Sequence, residues 1–184
     1  IQASGPKLFQ DDYRISGQPA NRKVTGIRLE VFPHSSHTGG KLSRGKSGEF
    51  ILTDVKLQVR RKGDTQTLDI EIASARATGE KNVGGRAYGK VGGTLDDDPR
   101  NGWTTQSLDA KKPYTAIFAL AEPHVLAENE ELIFVMLHRS TNGDANIGRF
   151  RVSTCSEPGN AVRSFDPSPR ERLAADIRKG RKKP

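Results

Sequence analysis

Cysteine is almost missing from this sequence, because Cys155 is the only one in 184 residues. A single cysteine excludes an internal disulfide, a cysteine-rich zinc site and the Cys-x-x-Cys-His motif, so we expect no haem in this chain. Long apolar runs are missing too. No window approaches the roughly 18 consecutive apolar residues of a membrane helix, so we expect no membrane contact. Hydrophobic residues make up only 33% of the chain while glycine is abundant, which suits a turn-rich β domain with polar ends.

The net charge of +8 is unevenly distributed along the chain. The last twenty residues hold seven basic and three acidic side chains, so half of the excess lies in this tail. The remaining body has mixed charge, which favours a solvated surface over nucleic-acid binding. Residues 1–5 are neither a signal peptide nor a start methionine, so we expect a fragment of a longer polypeptide.

Short alternating segments predict an all-β fold. In residues 24–32, Ile27, Leu29 and Val31 fall on one face of a strand, and the charged residues between them fall on the other. The same alternation recurs in residues 50–59, 68–72 and 147–154, and residues 114–120 are predicted to form a further strand. Residues 132–137 are continuously apolar, as in a strand covered on both faces. We therefore predict an antiparallel β-sandwich over residues 1–160, with Leu68 and Glu30 facing the core and the solvent respectively.

The remaining residues, 161–184, are predicted to form a basic linker or short helix leading to a following domain. Ser168 is expected to cap this helix, with Pro169 at its first position. Leu173 and Ile177 would line one side of it. A solvated linker and a polyanion-binding arm are both compatible with the basic residues that follow.

Several segments in fixed order resemble one protein family. These are residues 1–5 (IQASG) with Asp12 and Tyr13, residues 25–30 (TGIRLE), 45–53 (GKSGEFILT), 101–103 (NGW) and 147–153 (IGRFRVS). Over about residues 1–155, the chain is similar to the central β domain of large exported planctomycete-type proteins. Those proteins also carry a cytochrome c-like domain and two conserved domains of unknown function. The resemblance implies a galactose-binding-like jelly roll, export from the cell, and neighbouring haem-bearing and helical domains as partners.

An aspartate-rich turn, residues 96–103 (DDDPRNGW), is the most distinctive segment of the sequence. It resembles the Asp-Gly-Asp-x-x-Thr-x-Trp loop of discoidin-like and carbohydrate-binding jelly rolls, which often holds a structural Ca²⁺. The resemblance implies Asp96, Asp97 and Asp98 as calcium ligands, since Ca²⁺ prefers several carboxylate and carbonyl oxygens. Asp97 departs from the pattern by standing at the position of its glycine. The alternative is a surface turn in which the aspartates accept backbone hydrogen bonds.

Aromatic residues are the first candidates for contact with a sugar ring. Tyr88 and Tyr114 lie beside glycine or proline and are predicted ligand contacts. Trp103, the only tryptophan, could stack on a sugar, but in the families that the turn resembles this residue packs into the core beneath the loop.

Basic residues supply the second set of candidates. His34 and His37 lie in a glycine-containing loop that could contact an acidic or sulfated sugar, although an exposed flexible loop is the simpler interpretation. Two histidines three residues apart without a nearby carboxylate make an incomplete metal site. Arg149 and Arg151 share the outward face of a predicted strand, where they could bind a ligand or form ordinary surface charge.

Three functions are compatible with these patterns. The first is a non-catalytic carbohydrate-binding module of an exported multidomain protein, with an anionic polysaccharide as a candidate ligand. The second is a structural domain that positions the haem-bearing and helical parts of the parent. The third is an enzyme with a cleft at the loop of His34 and His37, but the sequence contains no catalytic motif, so we expect no enzymatic activity in this chain.

Overall fold

The structure is a computed structural model and describes residues 1–83, 87–157, 164–165 and 169–180. In these residues the chain forms eleven strands and one helix: β1 (Asp11–Gly17), β2 (Lys23–Val31), β3 (Ile51–Leu52), β4 (Asp54–Arg61), β5 (Leu68–Ile70), β6 (Ile72–Ala77), β7 (Tyr88–Gly89), β8 (Gly102–Thr104), β9 (Tyr114–Val125), β10 (Glu130–His138), β11 (Phe150–Cys155) and α1 (Pro169–Gly180). Short 3₁₀ turns occur at Thr38–Gly40 and Val91–Leu95.

The strands form a sandwich of two antiparallel sheets, as the alternating pattern predicts. One sheet has the order β1-β10-β4-β5 and the other β11-β2-β9-β6. Strands β5 and β6 are separated by Glu71 alone, so the chain passes from one sheet to the other at this corner. Along the chain, β1, β2, β4 and β6 alternate between the two sheets, whereas β9 returns to the same sheet as β6 before β10 and β11 alternate again. A third, small sheet, β3-β8-β7, closes one end of the sandwich and includes a parallel pair, β7 with β8.

The core lies between the two large sheets and consists of the residues that the alternation places there. Ile27, Leu29 and Val31 on β2 are at most 1% exposed, and the equivalent residues of β4 are also buried. Phe118 on β9 meets Phe134 on β10 across the sandwich, with ring centroids 5.9 Å apart. Burial of each such side chain stabilises the fold by about 1.5–3 kcal/mol.

Strand β10 is buried on both faces, which confirms the prediction from its continuous apolar run. Leu132, Phe134 and Met136 enter the core, whereas Ile133 and Val135 join Leu137 in a second cluster on the outer face. The cross-strand neighbours of this second cluster include the long polar side chains Arg14, Lys56 and Gln58. Their aliphatic parts can cover the apolar stripe while their polar ends remain in water.

The predicted burial of Leu68 and the predicted exposure of Glu30 were both wrong, and both errors arise from tertiary context. Leu68 is 71% exposed because β5 is a short edge strand with a neighbour on one side only. Glu30 faces outward but is only 8% exposed. Arg151 on the adjacent strand β11 lies directly opposite it and covers its carboxylate.

The C-terminal segment contains the predicted helix, which begins at Pro169. The expected cap, Ser168, and the basic residues 181–184 lie outside the described residues. Leu173 and Ile177 are 61% and 50% exposed, so they do not pack on the sandwich. Phe165, by contrast, lies against the outer face of β9, beside Ile117 and Ala119.

In the part of the chain described here, no helix is long and apolar enough to cross a membrane.

Candidate functional site

The aspartate-rich turn connects the 3₁₀ turn Val91–Leu95 to β8 and has an unusual backbone. Asp97 has φ 58°, in the left-handed region that side chains disfavour, and Gly102 has φ 134°. A Cβ at Gly102 would lie 2.3 Å from the Leu52 carbonyl oxygen, so only glycine fits there. The turn is thus pressed against the segment between β3 and β4.

Asp96 and Asp98 hold the turn together from within. Asp96 accepts a hydrogen bond from the Asp98 amide at 3.2 Å and another from the side-chain amide of Asn101 at 2.8 Å. Both Asp98 oxygens accept hydrogen bonds from the Arg100 guanidinium at 2.8 Å, and Oδ1 also accepts from the Arg100 amide at 3.1 Å. These two carboxylates therefore act as the backbone-bonding aspartates of a surface turn.

Asp97 points away from the other two carboxylates, towards strand β4. Its Oδ1 lies 3.1 Å from Lys56 Nζ, and the same ammonium group lies 3.7 Å from Oδ2 of Asp54. Asp54 is only 5% exposed. Burial, followed by a hydrogen bond with Asp97, raises the pKa of Asp54 to about 6. Hydrogen bonds with Lys56 and then with Asp54 lower the pKa of Asp97.

The three aspartates thus engage three different sets of protein partners. Calcium requires several oxygens converging on one point. Among the described residues, no group of three or more Asp, Glu, His or Cys side chains is placed to hold a metal ion. The arrangement does not fit calcium, and binding of Ca²⁺ by Asp96, Asp97 and Asp98 stays a prediction without structural support.

Trp103 follows the turn on β8 and is fully buried. Its Nε1 donates a hydrogen bond to the Gly79 carbonyl oxygen at 2.9 Å, and its ring meets Phe50 edge to face with centroids 4.8 Å apart. The prediction that this residue is a core anchor is confirmed. Stacking of Trp103 on a sugar is excluded because its ring has no exposed surface.

A cleft of about 390 Å³ lies beside the turn, at the end of the sandwich closed by the small sheet. The residues that line it come from five separate parts of the chain and are Lys81, Val83, Ala87, Tyr88, Arg100, Gln106 and Thr141. Only Tyr88 was predicted from the sequence. Arg100 lies in the aspartate-rich turn but was not named as a ligand contact, and Lys81, Gln106 and Thr141 lie in ordinary polar loops that meet only in the folded chain.

Tyr88 is held rigidly in the wall of this cleft. Its hydroxyl group donates a hydrogen bond to the Pro99 carbonyl oxygen at 2.9 Å and accepts one from the Thr141 amide at 3.3 Å. Its backbone pairs with Gly102 in the small sheet. The aspartate-rich turn therefore fixes the aromatic ring and also supplies Arg100 to the same cleft.

Tyr114, the second predicted aromatic contact, lies elsewhere, at the start of β9. Its hydroxyl donates to the Asp109 carbonyl oxygen at 3.1 Å, and burial raises its pKa. Its ring packs on Gly79, where a Cβ would lie 2.3 Å from the tyrosine Cε1. Tyr88 and Tyr114 are therefore not neighbours in one binding site.

The loop containing His34 and His37 is packed rather than flexible and exposed. His37 is 4% exposed, and its Nδ1 donates a hydrogen bond to the Lys41 carbonyl oxygen at 2.8 Å. Its ring lies over Gly148, where a Cβ would be 2.4 Å away. Burial lowers its pKa. His34 lies beside it, with ring centroids 5.4 Å apart, and bonds Ser36 at 2.7 Å.

Arg149 and Arg151 occupy the outward face at β11, as predicted, but Arg151 has a structural partner. Its guanidinium donates two hydrogen bonds to Glu30 at 2.6 and 2.8 Å and also lies over the Phe32 ring. This two-point pairing joins β11 to β2. Arg149 is exposed just before the strand and forms an isolated bridge with Gln2.

Comparison of the chain with protein-family models, with curated proteins and with solved structures found no match. The resemblance to the exported planctomycete-type proteins therefore stays a prediction. In the cleft beside Tyr88, a fixed aromatic ring and several polar side chains surround one space of about 390 Å³. This cleft is the candidate functional site.

Proposed function

We propose that this domain is a non-catalytic carbohydrate-binding module of an exported multidomain protein, and that its glycan binds in the cleft beside Tyr88. One observation carries the proposal: a rigidly held aromatic ring shares a cleft of about 390 Å³ with two cationic side chains and two neutral polar ones. This volume lies within the usual range of small-molecule sites, roughly 300–1,000 Å³.

A sugar ring fits the chemistry of this lining. One face of a pyranose carries C–H groups that stack on an aromatic ring, and its edge carries hydroxyl groups that need hydrogen-bond partners. Tyr88 supplies the ring, while Lys81, Arg100 and Gln106 supply the partners. Because the tyrosine is already fixed by Pro99, little conformational entropy is lost when the ligand binds.

Binding rather than hydrolysis is favoured by the composition of the cleft. Glycoside hydrolysis requires two carboxyl groups on either side of the scissile bond. Within the described part of the chain, the residues that line the cleft include neither a carboxylate nor a histidine. The carboxylate of Asp98 is paired through both oxygens with Arg100, which lines the cleft.

The proposal is tested by affinity electrophoresis and calorimetry with a panel of neutral and acidic polysaccharides. We expect Tyr88→Ala to weaken binding by roughly tenfold, the value of an aromatic stacking contact. Tyr114→Ala is the matched control, because this tyrosine is also half-buried but lies outside the cleft. Urea denaturation establishes that both variants are folded. Absence of binding to every polysaccharide, or equal affinities of Tyr88→Ala and the unmodified chain, would refute the proposal.

A further inference from the structure

The candidate cleft has an unbalanced charge. Lys81 and Arg100 both line it, and no acidic side chain does so in the part of the chain that the structure describes. The acids that lie close to these two residues in the sequence have other partners. Glu80 accepts a hydrogen bond from the Val91 amide at 2.8 Å, and Asp98 is paired with Arg100 through both oxygens. The described lining of the cleft therefore presents positive charge with no acid opposite it.

The two cations differ in whether their charge is already compensated. Asp98 accepts hydrogen bonds from Nε and Nη2 of Arg100, both at 2.8 Å, so the hydrogens of Nη1 lie outside this pair. Arg100 can therefore donate to a ligand hydroxyl group while Asp98 offsets its charge. Lys81, by contrast, is half-buried and forms no ion pair with any residue that the structure describes. Lys81 thus supplies the uncompensated charge of the cleft.

Lys81 is held in the wall of the cleft by packing against strand β7. A Cβ at Gly89 would lie 2.6 Å from the Lys81 carbonyl oxygen and would also meet the side chain of Val83. The segment that carries Lys81 can lie this close to β7 only because residue 89 is glycine. The backbone that bears the ammonium group is therefore fixed next to Tyr88, the residue before Gly89.

A ligand in the cleft displaces water from this ammonium group. Removing water from a charged group costs free energy unless the ligand supplies a compensating partner. A sugar hydroxyl group compensates for part of this cost, whereas a carboxylate or sulfate oxygen forms a charge-assisted hydrogen bond that is roughly twice as strong. The cleft should therefore bind an acidic sugar in preference to its uncharged counterpart.

We propose that the glycan of the cleft is an acidic polysaccharide, and that Lys81 determines this specificity by binding the carboxylate or sulfate group of one sugar unit. Tyr88 stacks on a sugar ring, and Arg100 donates to its hydroxyl groups. This role of Lys81 rests on the proposed function, because it specifies the ligand of the same cleft. It assigns recognition of the anion to one side chain rather than to the general positive charge of the chain, which is +8.

Pairs of polysaccharides that differ in charge test the proposal. Calorimetry on the whole chain compares polygalacturonate with its methyl ester, and dextran sulfate with dextran. We expect at least one acidic polysaccharide to bind roughly fivefold more tightly than its uncharged counterpart, which is about the value of one partly exposed ion pair. The pair that shows the preference identifies carboxylate or sulfate as the recognised group. This comparison uses the unmodified chain, so it does not depend on the folding of a variant.

Substitutions then assign the preference to one side chain. Lys81→Gln should bind the acidic polysaccharide roughly fivefold more weakly and lose the preference over the uncharged counterpart. Lys81→Arg keeps the positive charge and should retain the preference. Lys90→Gln is the matched control, because Lys90 is exposed, carries the same charge and does not line the cleft. This control should bind like the unmodified chain, and urea denaturation establishes that each variant is folded.

Three results would contradict this role of Lys81. If acidic and uncharged polysaccharides bind equally and Tyr88→Ala weakens both, the proposed function stands but the acidic specificity is refuted. If Lys81→Gln and Lys90→Gln have equal effects on binding of the acidic polysaccharide, the anion is recognised by general surface charge and not by Lys81. If no polysaccharide binds to the unmodified chain, the proposed function fails and the specificity fails with it.

Discussion

Replacing Asp54 by asparagine should make the stability of this domain depend strongly on pH. In the unmodified chain, protonation of Asp54 and protonation of His138 change the free energy of unfolding in opposite directions. His138 is 2% exposed, its Nδ1 donates to the Asp11 carbonyl oxygen at 2.9 Å, and its ring lies 4.8 Å from that of Tyr13. Burial lowers its pKa from 6.5 to about 4. As the pH falls from 6.5 towards 4, the unfolded chain binds a proton that the folded chain does not, so stability decreases.

Asp54 has the reverse effect. Burial, and then Asp97, raises its pKa from 3.8 to about 6. As the pH falls through 6, the folded chain binds a proton before the unfolded chain does, and stability increases. Asp97 has a lowered pKa and therefore acts like His138, but it is 72% exposed and its contribution is reduced by solvent.

These values give the size of the effect. Between about pH 7.5 and about pH 4.5, protonation linked to His138 lowers the free energy of unfolding by about 2.5 kcal/mol. Protonation of Asp54 raises it by about 2 kcal/mol over the same range. The two groups together should change the stability of the unmodified chain by less than about 1 kcal/mol, whereas Asp54→Asn should lose about 2.5 kcal/mol.

Urea denaturation at the two pH values measures this difference directly. Trp103 is the only tryptophan and is fully buried, so its fluorescence reports unfolding without ambiguity. His138→Phe is the opposite variant and should become more stable in acid relative to neutral pH, because only the Asp54 contribution remains. His34→Gln, at a half-buried histidine outside this region, is the control. An Asp54→Asn variant whose stability changes by no more than that of the unmodified chain would refute the reasoning.

Three further substitutions test the supports of the fold and the turn. Gly102→Ala should destabilise the chain by more than about 2 kcal/mol in urea denaturation. Gly102 has φ 134°, and a Cβ there would lie 2.3 Å from the Leu52 carbonyl oxygen. An effect below about 1 kcal/mol would contradict this packing. Glu30→Gln should lose about 1–2 kcal/mol, because it removes the charge from the pair with Arg151 while keeping the side-chain size; high salt should diminish the difference. Trp103→Phe should lose about 1–3 kcal/mol, measured by circular dichroism, through the lost bond to Gly79 and a small cavity.

The sandwich could be predicted from the sequence because its strands alternate with a period of two. Ile27, Leu29 and Val31 share one face of β2 in any register that buries them. The wrong predictions concern residues whose exposure depends on the presence or absence of a neighbouring strand. Leu68 alternates correctly, but its strand is at an edge, and Glu30 is polar, yet a cross-strand arginine buries it. Neither relation is encoded within a few residues of the position concerned.

The candidate site was much less predictable, for a physical reason. Tyr88 could be named as an aromatic residue beside a glycine, but its partners Lys81, Gln106 and Thr141 are brought to it only by the closure of the sandwich end. The loop of His34 and His37 has the composition of an exposed loop, yet Gly148 lacks a side chain, and this leaves room for the His37 ring to pack inside. Whether a loop residue is buried therefore depends on the space left by residues that are distant in the sequence.

The aspartate-rich turn shows how composition and geometry can favour different functions. Three consecutive aspartates suggest a metal site when they are read as a row of ligands, but consecutive side chains on a turn diverge unless the backbone turns them inward. The left-handed Asp97 directs its carboxylate to Lys56, whereas Asp96 and Asp98 bond Asn101 and Arg100. Gathering the three around a cation would break each of these contacts, including the pair that fixes Arg100 in the cleft wall. The three aspartates therefore support the cleft wall: Asp97 joins the turn to Lys56 on β4, and Asp96 and Asp98 bond other residues of the turn that holds Tyr88 through Pro99.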